Sequence, residues 1–285
     1  MKTLWFTCLL LCMLTVSAHA RVDIVTSIEP LALIAKAVVG DYGQIRSLVD
    51  PRQSPHEYSI RPSDRIAIEQ ANLLIWVDPS FELYLTDVFN TQAATKTLLT
   101  FSRLQDVELA FEESGELDPH LWLDTHNALR LAEAVSKAAS AIDPLNEINF
   151  QGNLNKFRIE LESASQDISA IFANKVEKTY AVYHNAYRYF ENQFELQYSI
   201  VLLKHPESQA NVQEIMQVRR SVQELQPRCL LIELDSNGAT IATMLGGVEL
   251  DMPIIDTMGY DVIADATGYI TMLRKLAEQF RQCVY

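Results

Sequence analysis

The sequence predicts an α/β protein of two lobes, each a mostly parallel sheet covered by helices, joined by one long rigid helix. Runs such as Leu73 to Val77 are apolar at every position, as strands buried on both faces are, whereas a half-exposed sheet would alternate. These runs alternate with helical stretches, and the alternation occurs twice. Between the two series lies the longest periodic segment, in which Leu154, Phe157, Leu161, Ala164, Ile168 and Ile171 recur at steps of three and four. A chain of 285 residues suits one large or two medium domains. The expected division is a signal segment over 1–20, an N-terminal lobe over 21–143, a connecting helix over 144–175 and a C-terminal lobe over 176–285.

In the first lobe, Val22 to Thr26 reads as a buried strand, and Pro30 to Val39 as a helix that stops at Gly40. Ile45 to Val49 is a second strand, closed by Asp50-Pro51. Ser63 and Asp64 open a helix that runs to Ala71, and strands follow at Leu73 to Val77 and Leu98 to Phe101. Asn127 to Ile142 is an Ala-rich helix that Asp143-Pro144 ends. The second lobe restarts with strands at Thr179 to Tyr183, which meets His184, and at Tyr198 to Leu203, near His205. A helix at Val212 to Leu225, a strand at Cys229 to Glu233 and a short helix at Ala239 to Leu245 come next. A fourth strand at Pro253 to Asp256 and a closing helix at Thr267 to Gln282 complete the lobe.

Residues 1–20 carry Lys2, an apolar run from Leu4 to Val16 and the small-residue end Ser17-Ala18-His19-Ala20, the pattern of a cleaved secretory signal that leaves Arg21 as the mature start. The apolar run is shorter than the roughly 20 residues a membrane span needs. Leu11 stands before Cys12 where a lipoprotein signal wants a small residue, so no stable membrane anchor is expected. Two cysteines remain, Cys229 and Cys283. In an oxidising compartment such a pair is expected to be bridged, two buried free thiols being the alternative.

Acidic residues outnumber basic ones 37 to 23, a formal charge of −14, and no basic run occurs. Nucleic acid and anionic lipid are poor partners for such a chain, while a diffuse negative field favours the approach of cations.

Three of the six histidines sit where the backbone is stiff. His56 follows Ser54-Pro55, His120 follows Asp118-Pro119, and His184 ends a predicted strand. Imidazole suits zinc, copper, iron or nickel, and a tetrahedral zinc site with three nitrogens needs one further donor. Asp256 is the candidate, since it and His184 both fall at strand carboxyl ends, where open parallel sheets bind ligands; its other reading is a turn cap beside Gly259. Glu57 and Glu233 are candidates to orient an imidazole, and His205 is a spare ligand. His126 reads as a residue of a helix start.

The stretches from Ser54 to Asp64, from Asp118 to Asp124 and from His184 to Phe190 resemble, in order, the three histidine motifs of the high-affinity zinc-binding proteins of bacterial ABC importers. These are the cluster A-I solute-binding proteins, solute-binding protein family 9. The resemblance spans nearly the whole mature chain. It implies two α/β lobes joined by a rigid helix, with Zn2+ as the transported ligand held between them by His56, His120, His184 and the carboxylate position of Asp256. It further implies a Cys229–Cys283 bridge, a periplasmic monomer and a membrane permease as partner.

Two departures stand out. Zinc members often carry a long histidine-rich loop before the second motif, whereas the segment Glu108 to Glu116 is short, acidic and free of histidine. The strand ending Leu231-Ile232-Glu233-Leu234-Asp235 replaces the family's more usual Glu-Pro-Gln run and keeps only its Glu. The expected activity is capture, not catalysis. A manganese or iron carrier of the same class and a metal-dependent adhesin are the alternatives. A secreted zinc hydrolase is disfavoured, because no His-Glu-x-x-His helix occurs.

Overall fold

A computed structural model describes residues 21–112, 114–173, 179–196, 200–206 and 210–285, with the Glu57 side chain left out. The expected signal segment 1–20 lies outside the described residues, as does Tyr198 at the start of an expected strand. The first sheet contains β1 (Val22–Thr26), β2 (Gly43–Ser47), β3 (Leu73–Trp76) and β4 (Thr97–Thr100), in the order β2-β1-β3-β4, every pair parallel. Ile24 sits opposite Ile45 on one side and Leu73 on the other. The second sheet is β5 (Ala181–His184) flanked by β6 (Ile200–Leu203) and β7 (Leu230–Leu231), again parallel. All four residues of β3 and of β5 are buried, which explains the unbroken apolar character of β3 and of β5 up to His184.

The helices are α1 (Glu29–Val39), α2 (Pro62–Gln70), α3 (Leu83–Gln92), α4 (Thr125–Ile142), α5 (Glu147–Phe172), α6 (Arg188–Gln193), α7 (Val212–Leu225), α8 (Gly238–Leu245) and α9 (Gly268–Val284). Caps fix several starts. Asp124 accepts the Asn127 N–H at α4, and Asn211 pairs with Glu214 in a capping box at α7. Gly43 is required where α1 returns to the sheet. A Cβ there would lie 2.5 Å from both Val22 O and Val39 Cγ1.

The long helix α5 joins the lobes. It buries Phe150, Phe157, Leu161, Ala164, Ile168 and Phe172 against α1 and α4 of the first lobe and α9 of the second. One apolar cluster therefore runs from β1 through α5 to α9, and a smaller one, around Tyr183, Leu202, Val222 and Met244, fills the outer part of the second lobe. Truncating Phe157 to Ala inside the shared cluster would cost about 3 to 5 kcal/mol. Buried hydrogen bonds also cross between lobes, among them Trp122 Nε1–H donating to Thr257 O at 2.8 Å and Tyr269 O–H donating to Trp122 O at 2.6 Å.

Several elements differ from the sequence expectation. The strand expected at Ile45 to Val49 is displaced to Gly43–Ser47, although Leu48 and Val49 still donate to Thr26 and Ser27. The strand expected at Pro253 to Asp256 is reduced to isolated parallel bridges, Cys229 to Asp251 and Ile232 to Ile254, because Pro253 has no N–H to give the ladder. The helices α3 and α6 were not expected. Cys229 and Cys283 form a disulfide with Cα atoms 5.6 Å apart, tying the approach to β7 to the end of α9. Among the described residues no helix is long and apolar enough to cross a membrane.

Candidate metal centre

The three histidines reach one point from three separate structures. His56 lies in a single 3-10 turn, Pro55–Glu57, where Pro55 fixes the entry and the Ser54 hydroxyl accepts the His56 N–H at 3.3 Å. His120 precedes another 3-10 turn, Leu121–Leu123, and His184 is the last residue of β5. One ligating nitrogen from each lies within 4.8 Å of the others. The ring centroids are 5.9 Å apart for His56 and His120, 5.7 Å for His56 and His184, and 5.4 Å for His120 and His184.

Carboxylates stand behind two of the rings. Asp118 Oδ1 lies 2.8 Å from His120 Nδ1 and also accepts the His120 backbone N–H at 3.1 Å. Glu233 Oε2 lies 2.9 Å from His184 Nδ1, while its Oε1 accepts the Tyr187 O–H at 2.6 Å. The first contact is a hydrogen bond. The second has the distance of an ion pair without good hydrogen-bond alignment, so its attraction is chiefly electrostatic. A carboxylate at Nδ1 favours the tautomer with its proton there and leaves Nε2 with a lone pair. His184 Nε2 is buried without a hydrogen-bond partner, which calls for a ligand at that atom.

Electrostatics separate the rings further. Burial, reinforced by repulsion from His120, His184 and His205, drives the His56 pKa down to about 2, so His56 stays neutral. Burial opposes charging His184 as well, but the Glu233 carboxylate outweighs it and the net shift is upward. Glu233 is correspondingly held below the usual carboxylate range: the attraction of His184, with the Tyr187 hydrogen bond, overcomes its own burial.

The rings face a cavity of about 50 Å3, lined also by Trp122, Glu233 and Asp256. That accommodates an ion with a water molecule but lies far below the several hundred Å3 typical of sites for organic ligands. The Phe81 ring meets His56 edge-on at 5.0 Å, and Trp122 lies 5.3 Å from His120. Apolar walls of this kind limit solvent access to the donors.

The remaining sequence candidates fall elsewhere. Asp256 lines the cavity, but its carboxylate is outside the three-histidine group among the described residues. Oδ1 accepts the N–H groups of Met258, Gly259 and Tyr260 at 2.7 to 3.2 Å, and Oδ2 accepts that of Asp261 at 3.2 Å. Gly259, at φ +77°, lets this turn close. His205 is exposed, close enough for its charge to reach His56. His126 Nε2 lies 2.9 Å from Asp106 O, at the start of α4. The Glu57 side chain lies outside the described residues. Sequence reasoning overlooked Asp118 as the partner of His120, although Asp-Pro-His spacing offered the signal, and overlooked Tyr187 and Phe81, which only the tertiary fold brings in.

A family profile described as "Zinc-uptake complex component A periplasmic" matches residues 24–283. The high-affinity zinc uptake system protein ZnuA of Yersinia pestis is 28% identical, the match covering 93% of this chain and 92% of that one. A zinc-bound crystal structure of a ZnuA deletion mutant superposes with a TM-score of 0.80 at 20% identity, covering 92% of this chain and 97% of that one. The laminin-binding protein of Streptococcus agalactiae, described as bifunctional with adhesin and metal-transporting activity, gives 0.78 at 20% identity over 92% and 98%. With three histidines at one point between two parallel-sheet lobes and a family match over nearly its whole described length, this chain belongs to the periplasmic zinc-uptake component A family.

Proposed function

We propose that this protein captures Zn2+ in the periplasm and hands it to the membrane permease of an ABC importer, with His56, His120 and His184 as the protein's ligands. The observation that carries the reading is the convergence of three imidazole nitrogens within 4.8 Å in a cavity sized for an ion. Nitrogen donors in that number favour zinc over manganese, which prefers oxygen. Asp118 and Glu233 act behind His120 and His184, orienting the rings and holding their protons on Nδ1. The four backbone bonds on Asp256 support a role as organiser of the Asp256–Asp261 turn, leaving the fourth coordination place to water. Cleavage of the signal segment, a monomeric state and freedom from a membrane anchor belong to the same proposal. An adhesive role, which the names of several structural relatives carry, is not needed to account for the histidine triad.

The direct test is metal analysis of the purified mature protein, followed by competitive titration of the apo form with zinc and manganese. One zinc per chain is expected, bound more tightly than manganese and weakened by orders of magnitude in His120→Ala and His184→Ala. Absence of stoichiometric metal, or tighter manganese binding, would overturn the zinc assignment.

A further inference from the structure

The short acidic segment before His120 has a partner on the other lobe. Phe111 and Leu117 form an antiparallel bridge, and Glu112 N–H donates to Glu116 O at 2.8 Å, so the chain doubles back on itself ahead of Asp118. From the second lobe, Asn185 Nδ2 donates to Glu112 Oε1 at 2.8 Å and Arg188 Nη2 to Glu112 Oε2 at 2.9 Å, which gives both carboxylate oxygens a donor. Arg188 Nη1 donates to Phe111 O at 2.5 Å, and its Nε lies 3.7 Å from Asp118 Oδ2. The Tyr189 hydroxyl accepts from Ala110 N–H at 2.9 Å and donates to Asp118 O at 3.0 Å.

These contacts couple two ligands. Asn185, Arg188 and Tyr189 follow His184 by one, four and five residues, and the doubled segment runs through Asp118 into His120. The Arg188 and Glu112 side chains are only 19% and 29% exposed, so their attraction is less screened than that of a surface pair. Separating the lobes at the ion would require breaking this set of bonds.

We propose that Glu112 and Arg188 are positioning residues for metal retention: they clasp the segment before His120 to the segment after His184, holding the two lobes' histidines at coordinating distance and slowing release of the ion. This rests on the capture reading above. It gives the short acidic segment a mechanical task where a histidine-rich loop would offer extra ligands.

The test measures zinc release from the loaded full-length mature protein into excess chromogenic chelator, for wild type, Glu112→Gln, Arg188→Gln, the double variant and Arg188→Lys. Each single Gln variant should release zinc roughly tenfold faster at little-changed association rate, as expected for losing a partly buried, charge-assisted contact. The double variant should be no faster than the singles, because both break one clasp. Arg188→Lys, which keeps the charge but not the fork, should fall between. Unchanged release rates, or single effects that multiply in the double variant, would overturn the proposal. Should Arg188→Gln fail to fold, Glu112→Gln alone decides it. A wild-type chain that holds zinc while the variants release it at the same rate removes only the clasp; a wild-type chain that holds none removes the capture reading as well.

Discussion

His120 and His184 face the same cavity with braces of different origin. Asp118 is two residues before His120 and serves both its ring and its backbone N–H, so one side chain sets where that imidazole leaves the chain and how it is turned. Glu233 lies 49 residues after His184, past the end of β7, and meets its ring as an ion pair that Tyr187 steadies. A local brace depends on little beyond its own turn. A remote one depends on everything that holds the neighbouring strand in register, including the disulfide at Cys229. The His184 side should therefore be the one that global loosening disturbs first.

Removing the Cys229–Cys283 bridge is the largest perturbation of that contrast. Its ends are 54 residues apart, and closing a loop of that length contributes about 4 kcal/mol in the chain-entropy account. A Cys229→Ala/Cys283→Ala variant should lose stability of that order in urea unfolding, and its His184 ring should become the more mobile of the two by NMR. Equal mobility of both rings would erase the distinction between local and remote braces.

Removing the braces themselves comes next. Loss of a partner behind a metal-bound imidazole costs about 10- to 100-fold in affinity. Asp118→Ala belongs at the upper end, because a ring contact and a backbone bond go together, and Glu233→Ala at the lower. Zinc competition titrations check the order, and the reverse ranking would mean that the charge of Glu233 outweighs the double attachment of Asp118.

The smallest effect is on pH dependence, and its sign follows from the folded state. His184 has its pKa raised above the ordinary 6.5, so in the apo protein its contribution to stability is full below that value and is lost as pH rises through the higher folded value. Zinc must displace that proton, so affinity should start to fall, as acid is added, above pH 6.5. His56, held near 2, competes with no proton in that range. Ring resonances of the apo form should show His184 protonating while His56 stays neutral. A titrating His56 in the range above about 5 would contradict the burial argument.

Much of the scaffold was legible because its signals are local. β1 coincides with the strand read over Val22 to Thr26, α7 with the segment from Val212 to Leu225, and α5 with the long period of three and four. The convergence of His56, His120 and His184 was legible too, through proline turns and a strand end. What escaped depends on distant partners or on weak local preference. The α3 segment, in which weak helix formers run unbroken from Thr86 to Thr91, has no side-chain cap, so packing of Leu85 and Phe89 must supply it. The six-residue α6 is held by Tyr189 and Phe190 against the core. Asp256 shows the limit from the other direction: an expected strand end made it a ligand candidate, whereas the four N–H groups on its carboxylate come from a turn whose extent the sequence pattern does not announce. The interlobe bonds of Arg188 are likewise invisible to a reading of motifs.

The most direct test of the central claim is X-ray absorption spectroscopy at the zinc edge of the stoichiometrically loaded protein. The account predicts three imidazole nitrogens at about 2.0 to 2.1 Å and one oxygen. A shell dominated by oxygen, or one with fewer than three imidazoles, would contradict it.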